Sequence, residues 1–124
     1  MEKILNLSFC DITIYDNFLV VKMNEGVLIS PESNKVLKEI AEVYFFNKPF
    51  VYITHRVNSY SVDPSVYKGT ASIENLVAFA VVANTHLASE NAKIEKLFFK
   101  DKPFEIFSDL EKAKDWAKSI LNNK

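Results

Sequence analysis

Cysteine is nearly absent from this chain, and with it any covalent staple. Of 124 residues only Cys10 carries a thiol. No disulfide can form within the chain, so a reducing compartment is the expected setting. Glycine and proline are scarce at two and four. That leaves little material for long flexible loops, linkers or glycine-rich phosphate cradles. No apolar run approaches the roughly 20 residues that span a bilayer. The longest, 76–83, has the length of a strand. The opening MEKILNLSF lacks the apolar stretch of a signal peptide. These absences predict one cytoplasmic domain over residues 1–124 that does not span a membrane.

Charge of one sign is missing as well. Fifteen basic and sixteen acidic residues leave a net charge of −1. Cutting the chain after Val62 gives six basic against seven acidic residues, then nine against nine. Nucleic-acid binding draws most of its affinity from a clustered basic surface, so that class is excluded as an expectation. Histidine is limited to His55 and His86, neither spaced from a second ligand in a metal-binding pattern. No metal or cofactor is therefore expected. A strand-to-helix nucleophile elbow needs glycines around its serine, whereas Gly26 and Gly69 lie elsewhere. His55, Ser59 or Ser61, and Asp63 supply the residue types of a triad. Residue types alone do not make one, and the reading is non-enzymatic.

Aromatic residues are what the chain has in quantity: ten Phe, five Tyr and one Trp. That much ring area predicts a thick core, or a core plus an apolar cavity. Leu5, Leu7 and Phe9 alternate with polar residues as a half-buried strand does. Ile12–Tyr15 and Phe18–Met23 read as strands joined by a tight turn at Asp16 and Asn17, completing an antiparallel meander. Ser30, Pro31 and Glu32 start a helix, with Val36, Leu37, Ile40, Val43 and Tyr44 at helical spacing before Pro49 ends it. Phe50–Thr54 is the next strand, making a parallel crossover. Leu76–Val82, apolar at every position, reads as a strand covered on both faces at the centre of the sheet. Thr85–Phe99 is a helix expected to turn Leu87, Ile94, Leu97 and Phe98 inward, with Glu90 and Glu95 on its solvated side. Phe104–Phe107 is a last strand. Ser108 and Glu111 form a capping box ahead of a helix striped by Leu110, Ala113, Ala117, Ile120 and Leu121. The expected class is α/β: a mixed sheet opened by an antiparallel meander and flanked by about four helices.

One polar stretch differs from the rest. Arg56, Asn58, Ser59, Tyr60, Ser61, Asp63 and Tyr67 fall within a dozen residues. They follow an apolar strand whose end lies at the carboxyl edge of the sheet, where open α/β sheets place ligands. Asp63 and Pro64 read as an N-cap and first-turn proline. A helix N-terminus beside Arg56 would favour an anion or a phosphorylated hydroxyl. The blander account is that Asp63 only caps, Arg56 pairs with an acid, and the tyrosines pack.

The run PFVYITHRVNSYSVDP at 49–64, with the two-strand opening and NEGV at 24–27, resembles a bacterial group of STAS/SEC14-like proteins. These are relatives of the anti-sigma-factor antagonists (stage II sporulation protein AA-like). The resemblance extends over LVAFAVV at 76–82 and PFEIFSDLEKA at 103–113. It implies a mixed sheet flanked by helices. In the antagonists a switch serine follows the third sheet strand in an Asp-Ser-Ser/Thr-Gly setting. Ser59 and Ser61 occupy the comparable stretch, although here the acid follows the serines and the glycine is missing.

Two functions follow as expectations. The first is a regulatory module binding a protein partner through the loop, switched by phosphorylation of Ser59 or Ser61, with Arg56, Asn58, Tyr60, Asp63 and Tyr67 as contacts. The second, implied by the SEC14-like members, is a lipid or small apolar ligand domain. A homodimer is compatible with either.

Overall fold

The computed structural model describes residues 2–58 and 60–122. Its first three strands are β1 (Lys3–Asn6), β2 (Cys10–Ile14) and β3 (Phe18–Met23). They pair antiparallel, with Cys10 opposite Met23 and Lys3 opposite Ile14. The amide of Tyr15 donates to Phe18 O at 2.9 Å across Asp16 and Asn17, the two-residue turn expected from those residues. Strand β1 sits earlier than the alternation of Leu5, Leu7 and Phe9 suggests. Leu7 already turns back, its amide donating to Cys10 O at 2.8 Å.

The crossover helix α1 (Pro31–Tyr44) starts where the sequence marks it, with Ser30 Oγ accepting from the Ser33 amide at 3.2 Å. Its buried stripe is Asn34, Leu37 and Ala41, with Ile40 and Tyr44 partly buried against the core. Leu37, Ile40 and Tyr44 of the expected stripe thus face inward and the two valines do not. Val36 faces outward and Val43 is 76 % exposed. The inward side is set by Asn34, whose Oδ1 accepts from Thr70 Oγ1 at 3.3 Å in the buried contact with the helix below. A strand β4 (Leu28–Ile29) precedes α1. After it, Asn47 turns the chain at φ 57°, a conformation asparagine tolerates. Asn75 then donates to Phe45 O at 2.7 Å and Lys48 O at 2.9 Å, holding the turn that follows the helix against the start of the strand at Leu76–Ala83.

Next come β5 (Phe50–Arg56), β6 (Ser61–Val62), α2 (Ser65–Ala71) and β7 (Leu76–Ala83). They are followed by α3 (His86–Glu95), a 3-10 turn at Lys96–Phe98, β8 (Phe104–Phe107) and α4 (Leu110–Asn122). The main sheet runs β1-β2-β3-β5-β7-β8, parallel from β3 onward. The short β4 and β6 pair in parallel as a separate ribbon. Strand β7 is an inner strand, one in from the edge, and β5 is the more central. Burial of β7 on both faces comes from helices above and below it, not from central position. At α4 the cap is Asp109 rather than Ser108: its Oδ1 accepts from the Glu111 amide at 2.7 Å.

Period-two alternation divides the core. On one side of the sheet, β residues pack beneath α1, α2 and α3, and this layer absorbs most of the rings. Phe79 lies against Tyr52, Phe104 and Phe99 at centroid distances of 4.9, 5.3 and 4.6 Å. On the other side Val20, Val51, Ile53, Ala78, Ala80 and Val82 meet Ala113 and Ala117 of α4. The small residues on both partners let that helix lie close to the sheet.

Truncating Phe79, at the hub of four rings, is expected to cost about 3–5 kcal/mol. Val43→Ala should stay within about 0.5 kcal/mol, as surface changes do. Urea denaturation of both variants checks the division; a Val43 cost near that of Phe79 would show that the outer side of α1 is covered in solution.

Candidate functional site

Parity along β5 decides which side chains reach the site. Tyr52, Thr54 and Arg56 point to the α1–α3 side, whereas Val51, Ile53 and His55 point to the α4 side. Arg56 ends the strand with its side chain only 9 % exposed. A buried guanidinium needs an acid, and α3 supplies it: Arg56 Nη1 donates to Glu95 Oε2 at 2.6 Å, and Nη2 donates to Oε1 in the same fork. Glu95 was expected on the solvated side of α3. It is 7 % exposed and faces the sheet, so that expectation is corrected. Burial on its own would depress the Arg56 pKa, but the hydrogen bonds that Arg56 donates to Glu95 outweigh it and hold the group above its ordinary value.

The tyrosines of the loop close around this pair. Tyr60 lays its ring 5.8 Å from the Arg56 guanidinium carbon and its hydroxyl 3.3 Å from Thr54 Oγ1. Tyr67, on α2, lines a common groove with Arg56 and Glu95. Burial first, and the Glu95 carboxylate second, push its pKa upward. Its ring also meets Phe98 at 5.7 Å.

The remaining loop residues hold the backbone. Asn58 Nδ2 donates to Met23 O at 3.0 Å, tying the loop to the end of β3. Asp63 Oδ1 accepts from the amide and the hydroxyl of Ser65 at 3.0 and 2.8 Å. It thereby caps α2 as expected, and the bonds from Ser65 hold its carboxyl below the usual range. Ser61 is exposed on β6, its amide donating to Val27 O at 3.0 Å. Ser59 lies outside the described residues. The structure thus gathers Arg56, Tyr60 and Tyr67, and leaves Asp63 at a helix start. With Arg56 closed on Glu95, the described residues lining the site include no second cation for an anion. His55, Ser61 and Asp63 do not converge, because His55 faces α4.

Helix α3 carries the largest departure from the sequence pattern. Leu87 is 71 % and Ile94 62 % exposed, and Leu97 and Phe98 also face outward. The buried side consists of Ala92 and Glu95, with Ala88 partly covered. Two stripes compete on this helix, one aliphatic and one Ala-Ala-Glu. The ion pair and the close approach that alanine permits decide for the second. Leu87 and Ile94 then flank an open groove of about 510 Å³ opposite Val57 and the loop, with Arg56, Glu95, Tyr60 and Tyr67 lining it. Behind the tyrosines lies a second space of only about 30 Å³, lined by Leu37, Tyr52 and Phe79 among others. That is room for water and not for an alkyl chain.

Removing one member of a buried pair leaves the other charged and unpaired. Glu95→Gln is therefore expected to cost about 3–5 kcal/mol, and the double change Arg56→Met with Glu95→Leu to recover most of that loss. Chemical denaturation of the three proteins checks it; a double variant as unstable as the single would refute the pairing. Half-burial, with Lys22 and Lys114 nearby, keeps the His55 pKa below its ordinary 6.5. The unfolded chain then binds the extra proton first, so stability should fall as pH drops below about 6.5 toward the folded value. His55→Gln should flatten that dependence in thermal melts between pH 7 and 5.

No family model matches the chain, and no curated protein matches it. Among solved structures, the chain is similar to an uncharacterized protein of the DUF3478 family with a SpoIIAA-like fold from Shewanella loihica PV-4. The TM-score is 0.59 at 13 % identity, over 94 % of this chain and 92 % of that one. Among the described residues, no helix is long and apolar enough to cross a membrane. The resemblance read from residues 24–27, 49–64, 76–82 and 103–113 thus agrees with the coordinates in architecture: a mixed sheet with four helices and a SpoIIAA-like fold.

Proposed function

We propose that the protein is a non-enzymatic regulatory module that binds a protein partner in the groove between the 56–67 loop and α3. The observation that carries this reading is the aliphatic flank of α3. Leu87 and Ile94 stand in solvent beside a groove floored by the buried Arg56–Glu95 fork. In that fork both Nη atoms are bonded to the carboxylate, and the buried Nε has no hydrogen-bond partner among the described residues. Large aliphatic side chains at helical spacing that pack on nothing in their own chain mark an interaction surface. The scatter of His55, Ser61 and Asp63 supports a binding rather than a catalytic role. Ser61, exposed on the groove wall, is the proposed switch. Phosphorylation would add a charge of roughly −2 there. Arg56 is already neutralised by Glu95 and would not compensate it. The phosphate would act by blocking the groove with a bulky hydrated group that the partner cannot displace, not by docking onto the guanidinium.

For the SEC14-like alternative, a lipid or small apolar ligand, the inner space of about 30 Å³ admits no chain, so such a ligand would need one of the open surface grooves. Native mass spectrometry of freshly purified protein separates the two readings, a bound organic adduct favouring the second.

The double variant Leu87→Asp, Ile94→Asp leaves the buried side of α3 intact and should fold. In affinity capture with quantitative mass spectrometry it is expected to lose the partners that wild type retains, and Ser61→Asp should lose the same ones. An unchanged partner set for the double variant would sink the assignment of the groove; an unchanged set for Ser61→Asp alone would remove the switch.

A further inference from the structure

Building on the interaction reading above, we infer that the groove takes an extended, uncharged segment of the partner polypeptide, added as a third strand on the free edge of β6. Among the described residues strand β6 has one neighbour, β4. The amides of Ser61 and Asp63 are spent on that side, donating to Val27 O and Ile29 O at 3.0 and 2.9 Å. Alternation along a strand turns the N–H and C=O of the intervening Val62 the other way. Tyr60, Ser61 and Val62 all line the groove, and among the described residues neither Leu28 nor Ile29 does. The groove therefore lies against the unpaired side of β6, where an extended chain finds main-chain partners.

Charge defines the segment further. Among the described lining residues the only charged side chains are Arg56 and Glu95, and they are closed on each other. A charged residue laid over that pair would lose hydration without gaining a counterion. Apolar side chains on one side of the added strand would instead lie against Leu87, Ile94 and Val57, all exposed and on the groove wall. The neutral floor, the aliphatic wall and the open strand edge agree on one occupant: a short, uncharged β-forming stretch with apolar residues at every second position.

The test uses the full chain and a phage-displayed library of random peptides about a dozen residues long. The enriched sequences are expected to be uncharged and alternating. A synthetic copy, N-methylated at one position at a time, should lose about tenfold in affinity at alternate positions and little between them. Adding the peptide should slow hydrogen exchange at the Val62 amide and leave the Ser61 amide, already bonded to Val27, unchanged. Leu87→Asp with Ile94→Asp, checked for folding by circular dichroism, should abolish binding. Sensitivity to N-methylation with no period of two, or protection that spares Val62, would overturn strand addition while leaving a protein-binding groove in place. Failure of the library to yield any peptide sensitive to the Leu87 and Ile94 changes would also overturn it. If an organic adduct then accompanies the purified protein, the interaction reading falls with it.

Discussion

The buried fork between Arg56 and Glu95 is the interaction around which this site is organised. It joins the end of β5 to the last turn of α3, two elements far apart in sequence. Its desolvation is expensive, and the pair is stable only because both partners are present and joined by two hydrogen bonds. It also decides how α3 is rotated. With Glu95 inward, Ala88 and Ala92 approach the sheet and the larger aliphatic residues are left outside. The groove, its neutral floor and its apolar wall all follow from that rotation. Replacing the pair by apolar residues would leave the helix free to turn its aliphatic side inward, which gives the ion pair a role in specifying orientation beyond its contribution to stability.

Much of the architecture was legible because it is written in short-range chemistry. Asp16 and Asn17 mark the hairpin, Ser30 and Pro31 mark a helix start, and the period-two runs mark strands. The parallel crossover followed from strand, helix and strand in order. What failed were the choices settled by contacts between distant residues. Val36 and Val43 fit a helical stripe as well as Asn34 does, yet Asn34 has Thr70 to bond and the valines have nothing. Glu95 looks like a surface acid until Arg56 is brought beside it. The ribbon of β4 and β6, two residues each, is too short to show a period.

The loop at 56–67 was picked out by its polar content, and the structure divides its residues by task. Arg56, Tyr60 and Tyr67 face one another around Glu95, Asn58 and Asp63 hold the chain in shape, and Ser61 is left on the groove wall. The aliphatic half of the site was invisible for a simple reason. Leucine and isoleucine at helical spacing are the ordinary signature of burial, and their exposure is a tertiary fact. The acidic partner had one available signal, that an arginine ending an apolar strand must find a carboxylate, but α1, α3 and α4 all carry acids and the sequence alone does not choose among them.

The sheet also has a seam with a consequence for synthesis. Strands β1, β2 and β3 pair with their neighbours in sequence, so the meander can form while the rest of the chain is still on the ribosome. Strand β3 then waits with its outer edge open until β5 emerges beyond the whole of α1 to cover it. Local contacts are quick and the distant parallel pairing is slow. The vulnerable interval in the life of this protein is therefore the one in which β3, with Phe18 and Val20 uncovered, is an unpaired apolar edge in the company of other nascent chains.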